Sequence, residues 1–155
     1  VRWLMQRKLN AERKTIMSEE KHQVWQRLVD EAHEIWRPLD VGMADLCMEL
    51  SREQRIAFVL AKLNYQVENG GFLQWIDNGY SVLFRDTLWA WEAVGTDNAK
   101  QIVELVKQAM QHEEEPEADD EFGYDERFEA LHALDDKYYG LEGWVDEVEA
   151  ALAAA

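Results

Sequence analysis

The sequence predicts an all-α fold, a compact single-domain bundle of about six to eight helices with no substantial sheet. Three observations carry this expectation. Apolar residues recur at spacings of three and four through most of residues 18–153. No segment alternates apolar and polar residues convincingly with period two. Only two prolines, Pro38 and Pro116, fall in 155 residues, so long helices are barely interrupted. Hydrophobic residues make up 47% of the chain, with seven Trp, five Tyr and five Phe, which is ample for one core despite the charge.

The first secure helix spans 18–36. Ser18 fits an N-cap, Glu19 and Glu20 favour the positive end of the helix dipole, and Val24, Trp25, Leu28, Ala32, Ile35 and Trp36 recur at helical spacing. Pro38 stops it, and a short helix is expected over 42–49. Ser51, with Gln54 three residues on, forms a capping-box pattern. The helix it opens carries Ile56, Val59, Leu60, Leu63 and Val67 on one stripe. Asn69-Gly70-Gly71 ends that helix, because Asn and Gly tolerate the left-handed conformation. A short helix over 72–77 stops at Asn78-Gly79. Residues 81–94 resume with Phe84, Leu88 and Trp91 on one side, and Gly95 ends them. Asp97 is expected to cap the next helix, whose stripe is Ile102, Leu105, Val106 and Ala109. Residues 113–121 read as an acidic loop around Pro116. Helices over 124–135 (Phe128, Leu131, Leu134) and 141–153 (Leu141, Trp144, Val145, Val148, Leu152) complete the chain.

Charge is the strongest compositional signal: 32 acids against 16 bases, formally −16. It is unevenly spread. Residues 1–16 hold five bases and one acid, whereas residues 113–155 hold sixteen acids and two bases, Arg127 and Lys137. A basic N-terminal extension over 1–16 is therefore set apart from a helical domain over 17–155, and Met17 before Ser-Glu-Glu reads like a start. Such a surface repels nucleic acid and anionic lipid and attracts basic proteins. Direct nucleic-acid binding is disfavoured, because the basic footprint that neutralises phosphates is missing outside 1–16. No apolar run approaches the roughly 20 residues of a membrane span. Cys47 is alone, in an apolar context, so it reads as a buried thiol in a reducing, cytoplasmic compartment.

No catalytic constellation stands out. His22, His33, His112 and His132 contain no pair at the spacing of a zinc helix. Asp119-Asp120-Glu121 lacks the alternate spacing of a calcium loop. Asn69-Gly70-Gly71 follows a helix rather than a strand and has no Lys-Ser/Thr behind it, so it is no phosphate loop. No metal and no cofactor is expected. Carboxylates are abundant, and none is singled out as catalytic.

The stretch Leu63-Asn64-Tyr65-Gln66-Val67-Glu68-Asn69-Gly70-Gly71-Phe72-Leu73-Gln74-Trp75-Ile76-Asp77-Asn78 is distinctive. It resembles the core motif of an all-helical domain family, mostly of unknown function, that includes a bacterial DNA-mimic protein. The hallmark is Asn-Gly-Gly-Phe, then Gln two residues on, an aromatic, and an Asn shortly after. Leu134-Asp135-Asp136-Lys137-Tyr138-Tyr139 is similar to the acidic-aromatic segment before that family's last helix, and the resemblance covers about residues 50–150. Physically, Asn69, Gly70 and Gly71 let the chain reverse, Phe72, Trp75 and Ile76 fold back onto the long helix, and the amides of Gln74 and Asn78 suit loop backbone.

Residues three or four apart on a helix lie about 5–6 Å from each other, so rows of acids there form a phosphate-like track. Glu114, Glu117 and Glu121 have that spacing, as do Asp125, Glu126 and Glu129, and Glu142, Asp146 and Glu149. With Glu113, Glu115, Asp119 and Asp120, these are the expected partner-binding acids. The leading expectation is a non-enzymatic acidic binding protein that occupies the DNA-binding face of a basic partner, such as a helix-turn-helix repressor or another nucleic-acid-binding protein. Two alternatives stay open: a small enzyme built from carboxylates, with or without a metal, and a helical interaction or immunity-like protein acidic mainly for solubility. The partner and the oligomeric state are not legible.

Overall fold

The computed structural model of the chain describes Met5, residues 22–113 and residues 121–155, the side chains of 121–126 excepted. The described residues form seven α-helices and one 3-10 turn, with no strand among them. In chain order these are α1 (Gln23–Trp36), α2 (Met43–Cys47), α3 (Arg52–Asp77), the 3-10 turn (Tyr80–Leu83), α4 (Phe84–Val94), α5 (Asp97–Met110), α6 (Glu121–Gly140) and α7 (Trp144–Ala153). The all-helical fold expected from the sequence is the fold observed.

The centre of the molecule is α3, which packs against α1, α4, α5, α6 and the 3-10 turn. The capping box starts it: Gln54 N–H donates to Ser51 Oγ at 3.2 Å, and Ser51 N–H donates to Gln54 Oε1 at 3.0 Å. The expected stripe, Ile56, Val59, Leu60, Leu63 and Val67, is buried, and so are Ala57 and Phe58 beside it. A helix buried on so much of its circumference is a core element rather than a surface one. Gly70 and Gly71 leave helical geometry and kink α3, so that 72–77 turns away from 52–69.

One aromatic side chain ties four elements. Trp144 of α7 packs edge-on against Trp25 of α1 (ring centroids 6.2 Å apart) and Trp91 of α4 (5.6 Å), and lies tilted against Tyr138 of α6 at 5.5 Å. Tyr138 in turn meets Phe72 just past the kink, at 5.8 Å. Edge-to-face pairs at these distances add about 0.5–1.5 kcal/mol each beyond the area they bury. The indole of Trp25 also donates to the Ala57 carbonyl at 2.9 Å, so its polar atom is satisfied.

Several boundaries differ from expectation. The expected cap Ser18 lies outside the described residues. Asp97 does not cap α5: Thr96 does, its Oγ1 accepting from Ala99 N–H at 3.2 Å, while Asp97 is the first helical residue, where its charge suits the dipole. The helix expected over 124–135 runs over Glu121–Gly140. Leu131, Leu134 and Tyr138 keep one buried stripe through it, and Asp135-Asp136-Lys137 obscures that stripe in the sequence. The last helix begins at Trp144, not at 141, because Gly143 stands at φ 82° as its N-cap. Leu141 and Glu142 therefore belong to the connection.

Candidate functional site

The Asn-Gly-Gly-Phe motif forms a junction between α3 and α6. Gly71 sits at φ 80°, a left-handed conformation that disfavours any Cβ. A Cβ there would also lie 2.1 Å from Asp135 Oδ2. The carboxylate of Asp135 thus presses on the bare glycine, and its Oδ1 accepts from Phe72 N–H at 2.8 Å. Asp135 is 5% exposed. Burial pushes its carboxyl up from 3.8 to about 7, against the lowering effect of the Phe72 N–H, with the Asp136 charge adding to the rise.

The motif's amides close a small network on the other side. Gln66 Oε1 accepts from Gln74 Nε2 at 2.9 Å and from Asn78 Nδ2 at 3.1 Å, and Gln74 Oε1 accepts from Asn69 Nδ2 at 3.2 Å. Trp75 and Phe72 are fully buried. From α6, Tyr138 Oη donates to Asn64 Oδ1 at 2.8 Å, and Tyr139 Oη donates to the Val67 carbonyl. Of the motif residues, Asn69, Gln74 and Asn78 are thus tied to one another and to Gln66, Gly71 and Phe72 meet Asp135 of α6, Gly70 lies against Gln74, and the indole N–H of the buried Trp75 has no hydrogen-bond partner among the described residues. Asp135 and Gln66, their partners, and Asn64, the partner of Tyr138, lie in the segments that carry the family resemblance, but no role for them was legible there: a polar residue on a helix gives no signal of what it faces.

The acidic positions divide into three groups. Glu114, Glu115, Glu117, Asp119 and Asp120 lie outside the described residues. Glu121, Asp125 and Glu126 stand on α6, where the backbone is described, and Glu129 is exposed one turn further along. Positions 125, 126 and 129 therefore share one stretch of helix. The remaining four are spread. Glu113 accepts a hydrogen bond from Ser81 Oγ on the 3-10 turn. Glu142 is exposed in the α6–α7 connection, its carbonyl accepting from Asn98 Nδ2 at 2.8 Å. Asp146 and Glu149 turn toward the start of α1. Asp146 Oδ1 stands 2.9 Å from Nε2 of the buried His22, although its side chain is 77% exposed. Glu149 accepts from Val24 N–H and Trp25 N–H, both at 2.9 Å.

That last contact is a cap supplied from 125 residues away. His22, at the N-cap position of α1, makes no side-chain cap bond. The first N–H groups of a helix need acceptors, and a carboxylate there also meets the positive end of the dipole. The expected row Glu142, Asp146, Glu149 is thus not a single helical track: Glu142 precedes α7, and Glu149 holds α1.

Among the described residues no three His, Cys, Asp or Glu side chains gather so as to hold a metal ion. Cys47 is buried, and burial with the nearby Asp86 charge pushes its thiol up to about 11, so it stays protonated near neutrality. Among the described residues no helix is long and apolar enough to cross a membrane.

Residues 48–155 match the model of a protein family described as DMP19-like protein. No curated protein and no solved structure matches the chain. The match begins just after α2, yet Trp25, Leu28 and Ala32 of α1 belong to the same core as the matched helices.

Proposed function

The chain belongs to the DMP19-like protein family, and from that premise we propose that it is a non-enzymatic DNA mimic. It would occupy the DNA-binding face of a basic transcription factor or other nucleic-acid-binding protein and exclude DNA by competition. The observation that carries this reading is the charge of residues 113–155, sixteen acids against two bases, in a chain of this family. An ordinary solvated helix interleaves both signs along its face. A stretch of one sign instead steers a basic partner from a distance and repels other acidic surfaces.

Within this reading Asp125, Glu126 and Glu129 on α6, with Glu114, Glu115, Glu117, Asp119, Asp120 and Glu121 before them, are assigned to the partner, while Glu113 holds Ser81 of the 3-10 turn. Asp146 and Glu149 are assigned to α1. Changing Asp125, Glu126 and Glu129 together to Lys, and capturing partners from a lysate of the source cell, tests the assignment. The captured DNA-binding protein should be lost with helicity unchanged. Retention of full affinity by that variant would remove α6 from the interface.

The carboxylate-enzyme alternative has one observation to weigh, the raised carboxyl of Asp135. Perturbed carboxyls cluster at active sites, but buried structural networks raise them too. Asp135 has Phe72 N–H on one oxygen and Gly71 against the other, and it is 5% exposed. Its second oxygen also faces Nδ1 of His132, one turn back on α6, at 3.7 Å, so both oxygens are engaged and we assign it to the junction.

A further inference from the structure

Away from the acidic region, α1 and α3 bring together a basic pair inside an aromatic cluster. Lys62 Nζ lies 3.3 Å from His33 Nε2. It stands 5.2 Å from the ring centre of Phe58 and 5.9 Å from that of Trp36. His33 packs against both rings, at 5.7 and 5.9 Å, and the two rings meet edge-on at 5.7 Å. No carboxylate forms an ion pair with Lys62 among the described residues, in a chain with twice as many acids as bases. Lys62 is half-buried, whereas Lys100, Lys107 and Lys137 are exposed.

We propose that Lys62 is a nucleophilic amine and, among the described lysines, the preferred site for acylation by small acyl phosphates, with His33 as the proton acceptor. The neutral Nζ lone pair forms a bond to the acyl carbon. The bond from that carbon to the phosphate oxygen breaks, and phosphate leaves with the electron pair. One Nζ proton passes to His33 Nε2, and the product is an uncharged amide; nothing is oxidised or reduced. Partial burial restricts the donor to a small one.

Two physical effects support the geometry. Burial lowers the Lys62 amine below its usual value, which raises the fraction in the neutral, reactive form. Burial, followed by the Lys62 charge, lowers His33 as well, against Asp30, which raises it, and with Arg37, which lowers it. A neutral imidazole keeps a lone pair on Nε2 facing the amine. Acylation would remove a cation from a chain already at −16, and so make it more acidic.

The test is incubation of the full chain with acetyl phosphate, followed by site-resolved mass spectrometry of Lys62, Lys100, Lys107 and Lys137. Lys62 should acetylate at least about twofold faster than each of the other three, since a lowered amine is more often neutral. His33→Gln should slow Lys62 by at least about threefold, leave the other three unchanged, and preserve the helical circular dichroism. A wild-type Lys62 rate equal to or below those of the exposed lysines overturns the proposal. So does a folded His33→Gln variant with an unchanged Lys62 rate.

Discussion

The two glycines of the motif look interchangeable in sequence and are not so in the fold. A Cβ on Gly71 would strike the buried Asp135 carboxylate, on a backbone at φ 80° that already resists side chains. A Cβ on Gly70 would meet the amide of Gln74, which can swing aside at the cost of its own network, and Gln74 Cβ at 2.9 Å, which must give slightly. Gly71→Ala should therefore lower stability by on the order of 3 kcal/mol or more, against about 1 kcal/mol for Gly70→Ala, in denaturant unfolding. Equal losses would mean that the junction is not the constraint described. Asp135 makes a second residue-scale prediction. Its carboxyl rises from 3.8 to about 7 on folding, so folding favours the protonated acid. The stabilisation from that proton is complete below about pH 4 and is lost as pH rises through about 7. Asp135→Asn keeps an acceptor for Phe72 N–H and carries no charge. The stability of the wild type minus that of Asp135→Asn should therefore fall across this window, by on the order of 4 kcal/mol at most, and then level off. A difference independent of pH would contradict the account. Gly71 was legible as a chain reversal, since Asn-Gly-Gly is a helix-ending string. Asp135 as its counterpart was not, because the pair is 64 residues apart and no local pattern links them.

The helices themselves were largely legible, because their apolar stripes are the ones they bury: Ile56 to Val67 in α3, Ile102 to Ala109 in α5, and Trp144 to Leu152 in α7. Their ends were less so. Thr96 outcompetes Asp97 as a cap by one position, a choice that depends on local backbone geometry rather than on residue type. The start of α1 shows a deeper limit, since its cap is Glu149 of the last helix. That contact predicts that Glu149→Ala costs about 1–2 kcal/mol and speeds hydrogen exchange at Val24 and Trp25, because two N–H groups lose a charged acceptor. Glu142→Ala, at an exposed carboxylate beside the same helix, should stay within about 0.5 kcal/mol. If the two variants behave alike, α7 does not hold α1 through Glu149.

For the whole molecule, acidity and aromatic packing oppose each other. A chain at −16 repels itself, and the cluster of Trp25, Trp91, Trp144, Tyr138 and Phe72 supplies attraction that does not depend on salt. Raising salt should therefore leave the fold intact, or stabilise it slightly by screening, while weakening any charge-steered complex. The net charge was plain in the sequence. Which acids remain for a partner was not, since Asp146 and Glu149 carry the same letters as Glu129 and are claimed by α1. A surface that replaces DNA on a basic partner must displace it, and displacement can be followed directly. Labelled duplex DNA is held on the captured DNA-binding protein, and this chain is titrated in while the released duplex is followed. Stoichiometric release that weakens as salt is raised is the result predicted. A ternary complex, with the chain and the duplex bound together at every salt concentration, would contradict it.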